Sequence, residues 1–124
     1  MSKFQDRVRA WAVHTFGIEI LSNKRERGFR FCEESLELVQ AVGITKEEVL
    51  QLVDYVYGRP IGTVKEEVGG VGTTLASLCV THDIDMEGCF NHELDYKCWP
   101  KAEAIRAKHN SKVNKDSSLP GSKG

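Results

Sequence analysis

Thr63-Val64-Lys65-Glu66-Glu67-Val68-Gly69-Gly70-Val71-Gly72-Thr73-Thr74-Leu75-Ala76-Ser77-Leu78 begins and continues with helical signals. Thr63 and Glu66, three positions apart, match a capping box, in which hydroxyl and carboxylate each satisfy a backbone N–H that the first turn leaves free. Val64, Val68, Val71, Leu75 and Leu78 then step by four, three, four and three, laying one apolar stripe along a helix that runs to about His82. Gly69, Gly70 and Gly72 each weaken a helix interior by ~1 kcal/mol relative to alanine. The close approach of a neighbouring helix or a ligand is the expected compensation.

Working outward, Tyr57-Gly58-Arg59-Pro60-Ile61-Gly62 reads as a loop. Before it, Thr45-Lys46-Glu47-Glu48 is a second capping box, opening a helix marked by Val49, Leu52, Val53 and Val56. Arg25-Glu26-Arg27-Gly28 leads into another helix over Phe29 to Ala41, ending near Gly43, and Phe4, Val8, Trp11 and Thr15 mark a first helix stopped at Gly17. Downstream, Asp85 caps a fifth helix through Tyr96, and Pro100 either kinks it or opens a final helical stretch to about Lys108. No segment alternates apolar and polar residues long enough for a strand. The expected fold class is therefore all-α, a four- to five-helix bundle over residues 1–109. Residues 110–124, rich in Ser, Lys, Asn, Pro and Gly, are expected to form a disordered basic tail.

The 124 residues suit a single core. No apolar run approaches the ~20 residues that cross a bilayer, so no membrane partner is expected. Met1-Ser2-Lys3-Phe4-Gln5-Asp6-Arg7 lacks the order of a secretory signal, which makes the cytoplasm the expected compartment and reduced thiols the expected state of the cysteines. The net charge of -1 hides an asymmetry: residues 1–100 carry 11 basic and 16 acidic side chains, residues 101–124 carry 6 and 2. An acidic body argues against specific nucleic-acid binding, because attraction to phosphates supplies most non-specific affinity.

Extra carboxylates suit a metal. Arg30-Phe31-Cys32-Glu33-Glu34-Ser35-Leu36-Glu37-Leu38-Val39-Gln40 puts Glu34 and Glu37 three apart, on one helical face. Glu67 immediately precedes Val68 of the apolar stripe, at the edge of the expected interior. A hard divalent cation held by several oxygens is one of the few arrangements that stabilises clustered carboxylates. Spacing alone equally describes solvated glutamates matched to Lys and Arg.

Glu33-Glu34-Ser35-Leu36-Glu37 resembles the first signature of the MazG-like nucleoside triphosphate pyrophosphohydrolases, and Glu67-Val68-Gly69-Gly70-Val71 with Thr73 to Leu78 resembles their second. Trp99-Pro100-Lys101 through Lys108 is similar to the closing helix of phage-encoded members. The resemblance spans roughly residues 25–108. It implies an all-α fold completed as a homodimer or homotetramer, and Mg²⁺, or Mn²⁺, engaging the triphosphate while water attacks the α-phosphorus. The products would be a nucleoside monophosphate and pyrophosphate, in a housecleaning or phage nucleotide-pool role. Carried onto this chain, Glu34, Glu37 and Glu67 are the expected metal ligands, with Glu33 as a supporting group or water activator. Cationic partners for the triphosphate are expected from Arg27 with Arg30, or Lys97 with Lys101, each pair one helical turn apart.

Gly70 stands where the second signature has aspartate, and glycine offers no ligand atom. Glu66 lies on another face, and Asp83 is about four turns from Gly70. The alternative is a weakened or inactive domain acting as a nucleotide-binding or protein-interaction module. A zinc-stabilised adaptor is the other, from Cys79, His82, Cys89, His92 and Cys98, although their spacing matches no usual finger. Trp11, Tyr55 and Tyr57 are candidates for base stacking and equally for packing. His14 and His109 have no sequence neighbour that suggests a role.

Overall fold

The computed structural model describes residues 1–113 and 119–120. Helices α1 (Lys3–Phe16), α2 (Ile18–Leu21), α3 (Lys24–Val42), α4 (Lys46–Tyr57), α5 (Val64–Thr81) and α6 (Met86–Glu93) precede a π-helical turn (Leu94–Cys98) and α7 (Ala102–Val113). The fold is all-helical, with no strand among the described residues. No helix among them is long and apolar enough to cross a membrane. The expected disordered tail falls largely outside the described residues, but its first residues do not behave as tail. Helix α7 continues to Val113, and Lys112 reaches Glu33.

Local chemistry explains the boundaries. Ser2 accepts from the Gln5 N–H to open α1, which stops at Gly17, whose φ of 84° suits a residue without Cβ. Gly43, at φ 100°, likewise ends α3. Thr45 and Glu48 form the full reciprocal capping box. At the next helix Thr63 Oγ1 accepts from Glu66 N at 3.3 Å, the hydroxyl half of the expected box. Between α6 and α7, the Trp99 N–H bonds back five residues to the Leu94 carbonyl, a π-turn immediately before Pro100.

The chain divides into two compact units, Met1–Glu33 with Glu87–Gly124, and Glu34–Met86. The first has a core. Ala12, Thr15, Leu94 and Ala102 are buried, and Phe4 stacks on Phe90 with centroids 5.2 Å apart. Arg106 donates to the Thr15 and His14 carbonyls at 2.6 and 2.8 Å, satisfying acceptors that the end of α1 leaves open. Arg7 pairs with Asp95 and donates to Asn91. Glu26 and His109, only 4 and 6% exposed, lie side by side, with His109 Nδ1 3.5 Å from Glu26 Oε1. Arg30 Nε approaches the same oxygen at 2.9 Å and Arg27 Nη2 at 3.4 Å. The Phe16 ring covers this group, with its centroid 4.9 Å from that of His109 and 4.8 Å from the Arg27 guanidinium carbon. The absence of a role expected for His109 is thus corrected: its partners come from α1 and α3, remote in sequence. His14 also finds a partner, its ring 5.3 Å from Trp99.

The second unit differs in kind, because none of its residues is buried. The α5 stripe was expected to face an interior, yet Val64, Val68 and Val71 are 83, 65 and 42% exposed, and only Leu75 and Leu78 are half-buried. The expected close approach at the glycines is also absent among the described residues. A Cβ built at Gly69, Gly70 or Gly72 would meet no atom within 4 Å outside the helix. What those residues gain is local: the hydroxyls of Thr73 and Thr74 bond back to the Gly69 and Gly70 carbonyls at 2.9 and 3.0 Å.

Burial holds His109 below its ordinary titration range, with Arg27, Arg30 and Lys112 adding to that effect and Glu26 opposing it. A histidine kept neutral on folding contributes stability that is full above the unfolded value of 6.5 and declines as pH falls below it, because the unfolded chain takes up the proton first. Denaturant midpoints measured from pH 8 to pH 5 are expected to fall below about pH 6.5, and His109→Gln to flatten that decline. Glu26→Ala, which takes the carboxylate from Arg27 beside Phe16 and leaves Arg30 only its bonds to Glu33 and the Pro120 carbonyl, is expected to cost about 3 kcal/mol in the same measurement.

Candidate functional site

Glu34 and Glu37 lie on the part of α3 that belongs to the second unit, one turn apart and both exposed. Glu67, also exposed, lies in the first turn of α5, where the helix dipole favours a carboxylate. Its side chain folds back over the preceding loop, with Oε1 occupying the space that a Cβ at Gly62 would need. These carboxylates do not converge. Among the described residues no three of His, Cys, Asp and Glu come together in a group that could hold a metal ion. A Mg²⁺ ion therefore does not fit the three expected ligands as a single chain arranges them, and Gly70 adds no donor.

Glu33 is separated from them by its partners. Lys112 Nζ donates to Glu33 Oε1 at 2.7 Å and Arg30 Nη1 to the same oxygen at 3.2 Å. The Lys112 hydrogen bond is the main reason that the Glu33 carboxyl titrates below its ordinary range, with the nearby positive charges of Lys112, Arg30 and Lys108 reinforcing it.

The arginines expected to receive a triphosphate are already engaged. Arg27 and Arg30 converge on Glu26, and Arg30 Nη2 also donates to the Pro120 carbonyl at 2.7 Å. Of the lysine pair, Lys97 lies 3.5 Å from Glu93, one turn away and exposed. Lys101 instead lines an open cleft of about 450 Å³ with His14, Trp99 and Glu103. A neighbouring hollow of about 280 Å³ is lined by Thr15, Phe16, Arg106 and His109 among others. Trp11 packs edge-on against Phe16 at 5.4 Å, whereas Tyr57 is 87% exposed and Tyr55 lies under the Arg59 guanidinium at 5.0 Å.

None of Cys32, Cys79, Cys89 and Cys98 forms a disulfide, and the Cys98 thiol donates to Glu93 Oε2 at 3.9 Å. The zinc grouping of Cys79, His82, Cys89, His92 and Cys98 is not assembled among the described residues. Sequence reading missed Glu26, Arg106, His109 and Lys112. A weak signal did exist: Glu26, Arg30 and Glu33 are spaced by four and three on α3, and Arg106, His109 and Lys112 by three on α7, so each set shares a helical face.

Compared with protein-family models, curated proteins and solved structures, the chain gives no match.

Removing the Lys112 donor should release Glu33. In Lys112→Met, the Glu33 carboxyl followed by carbon-detected NMR titration is expected to move up toward 4.5, with Arg30 still holding it somewhat below that value. An unchanged titration would assign the shift to Arg30 and Lys108 instead.

Proposed function

We propose that this chain is a nucleoside triphosphate pyrophosphohydrolase of MazG-like type, a cytoplasmic enzyme that works as a homo-oligomer with Mg²⁺ or Mn²⁺. It adds water across the α–β phosphoanhydride of a nucleoside or deoxynucleoside triphosphate to give the monophosphate and pyrophosphate. The observation that carries the reading is the pairing of two helical signatures, Glu33-Glu34-x-x-Glu37 on α3 and Glu67 at the start of α5, in an all-helical chain. The acidic balance of residues 34–86, with nine carboxylate side chains against three basic ones, also suits a divalent cation. Glu34, Glu37 and Glu67 are the proposed ligands. A metal in such a site neutralises phosphate charge and lowers the pKa of bound water. Because one chain does not gather the three carboxylates, assembly of the site has to accompany association or substrate binding.

A second reading is favoured by one specific observation. Gly70 replaces the expected acidic ligand, and the three remaining carboxylates stand apart in a single chain. A descendant that binds a nucleotide or a protein without turnover has the same sequence signatures.

Pyrophosphate release from a panel of nucleoside and deoxynucleoside triphosphates, with Mg²⁺, Mn²⁺ or chelator, separates the two. Metal-dependent release by the natural chain is expected, falling at least 100-fold in Glu37→Gln while circular dichroism keeps its helical signal. Release only from Gly70→Asp would establish the binding module, and silence from both would sink the enzyme reading. Mn²⁺ binding followed by electron paramagnetic resonance provides a readout independent of turnover.

A further inference from the structure

The hollow of about 280 Å³ in the first unit is formed by residues of α1, α2 and α7, and its lining is chemically mixed. Val13, Phe16 and Ile20 supply apolar walls, whereas Thr15, His109 and Arg106 supply polar groups. Thr15 is 1% exposed and His109 6%, yet among the described residues neither the Thr15 hydroxyl nor either His109 nitrogen has a hydrogen-bond partner. An unpaired buried polar group costs about 1–3 kcal/mol, so two of them lining one hollow mark a place that polar atoms of a ligand would satisfy. His109 Nδ1 faces Glu26 at 3.5 Å, which leaves Nε2 as the nitrogen a ligand can reach. Arg106 commits Nε to the Thr15 carbonyl and Nη2 to the His14 carbonyl, leaving Nη1.

We infer that this hollow binds a small monocarboxylic acid as its anion, the carboxylate accepting from the Thr15 hydroxyl, His109 Nε2 and Arg106 Nη1 while its apolar body lies against Val13, Phe16 and Ile20. Charge and size select this class. The guanidinium favours an anion over a neutral ligand, whereas a phosphate would bring a second charge toward Glu26 and leave the apolar walls uncovered. The volume equals about nine waters at ~30 Å³ each, which suits a carboxylate on one ring or a short branched chain, and falls below the ~300–1,000 Å³ typical of sites for drug-sized molecules. The site uses none of Glu34, Glu37 and Glu67, so it stands whether or not the chain hydrolyses a triphosphate.

Binding here draws in a proton from solvent. Burial keeps the free imidazole neutral near pH 7, and Glu26 already occupies the Nδ1 side, so donation from Nε2 to a carboxylate calls for the imidazolium. That cation stands between two carboxylates, Glu26 and the ligand, against the opposing charges of Arg27 and Arg30 on α3 and of Arg106 and Lys112 on α7. His14 on α1 is the other titratable group at the hollow, and it is exposed. Affinity therefore rises as pH falls from 8 toward 6, by up to about tenfold per pH unit.

Sodium benzoate added to the full chain is the test, with the His109 imidazole followed by nitrogen-correlated NMR. Saturable shifts at His109, Thr15 and Ile20 are expected, with a dissociation constant of about 1 mM or below near pH 6.5 and several-fold larger one pH unit higher. Calorimetry in two buffers of different ionisation enthalpy should register proton uptake, and His109→Gln should remove it. Thr15→Val keeps the side-chain shape and removes a hydroxyl that has no described partner, so the denaturant midpoint is expected to hold or rise while benzoate binds about 10-fold more weakly. Benzamide, the same shape without the charge, and inorganic phosphate should both bind more weakly than benzoate. No saturable shift with benzoate, equal binding of benzamide, a preference for phosphate, or undiminished affinity in Thr15→Val would each overturn the inference.

Discussion

Glu26 is an acid placed where a protein ordinarily tolerates none without partners, and much of the first unit is arranged around it. Its backbone N–H bonds to the Asn23 side chain at the start of α3, and its Oε1 draws in Arg30 from the next turn, Arg27 from beside it and His109 from α7. Phe16, at the end of α1, lies against both His109 and Arg27. Three helices are thus tied through one carboxylate and one ring. The arrangement is costly to assemble, because charges lose their water. It is costlier to break, because any member removed leaves the others uncompensated. Among the described residues, Glu26 Oε2, the Thr15 hydroxyl and both His109 nitrogens have no hydrogen-bond partner, so the cluster fixes the geometry of the unit without satisfying every polar atom.

Much of the local structure was legible in the sequence because it depends on near neighbours. Gly17 and Gly43 stop helices where a left-handed backbone is needed, and Thr45 with Glu48 closes its box within four residues. The π-turn before Pro100 was only half legible: proline announces an interruption, but whether the backbone kinks, restarts or widens by one residue depends on how Leu94 is buried. The cluster at Glu26 was not read at all. Spacing showed Arg27 and Arg30 one turn apart and suggested a free anion-binding pair. Only tertiary structure brings α7 close enough to place His109 beside the carboxylate they serve.

The same limit governs the candidate site. Sequence identifies which positions of α3 and α5 carry Glu34, Glu37 and Glu67, and both helices form, but Glu67, expected at the edge of an interior, is exposed. It does not reveal what stands opposite. The apolar stripe on α5 is real as a pattern and uncovered in a single chain, since amphipathicity specifies that a face needs a partner without specifying which molecule provides it. Glu33 makes the point within one motif. It is adjacent to Glu34 in sequence, yet Lys112 and Arg30 bind it into the first unit.

The open space above Gly70 bears on heredity as well as on packing. Among the described residues no side chain enters the volume that a Cβ would occupy there, and the residue sits in ordinary helical backbone. A change at the second base converts any glycine codon to one for aspartate or glutamate. An acidic residue at this position is therefore one mutational step away, and its Cβ would meet no described atom within 4 Å. Glycine and an acidic residue could thus exchange there without a Cβ clash against the described residues of the same chain.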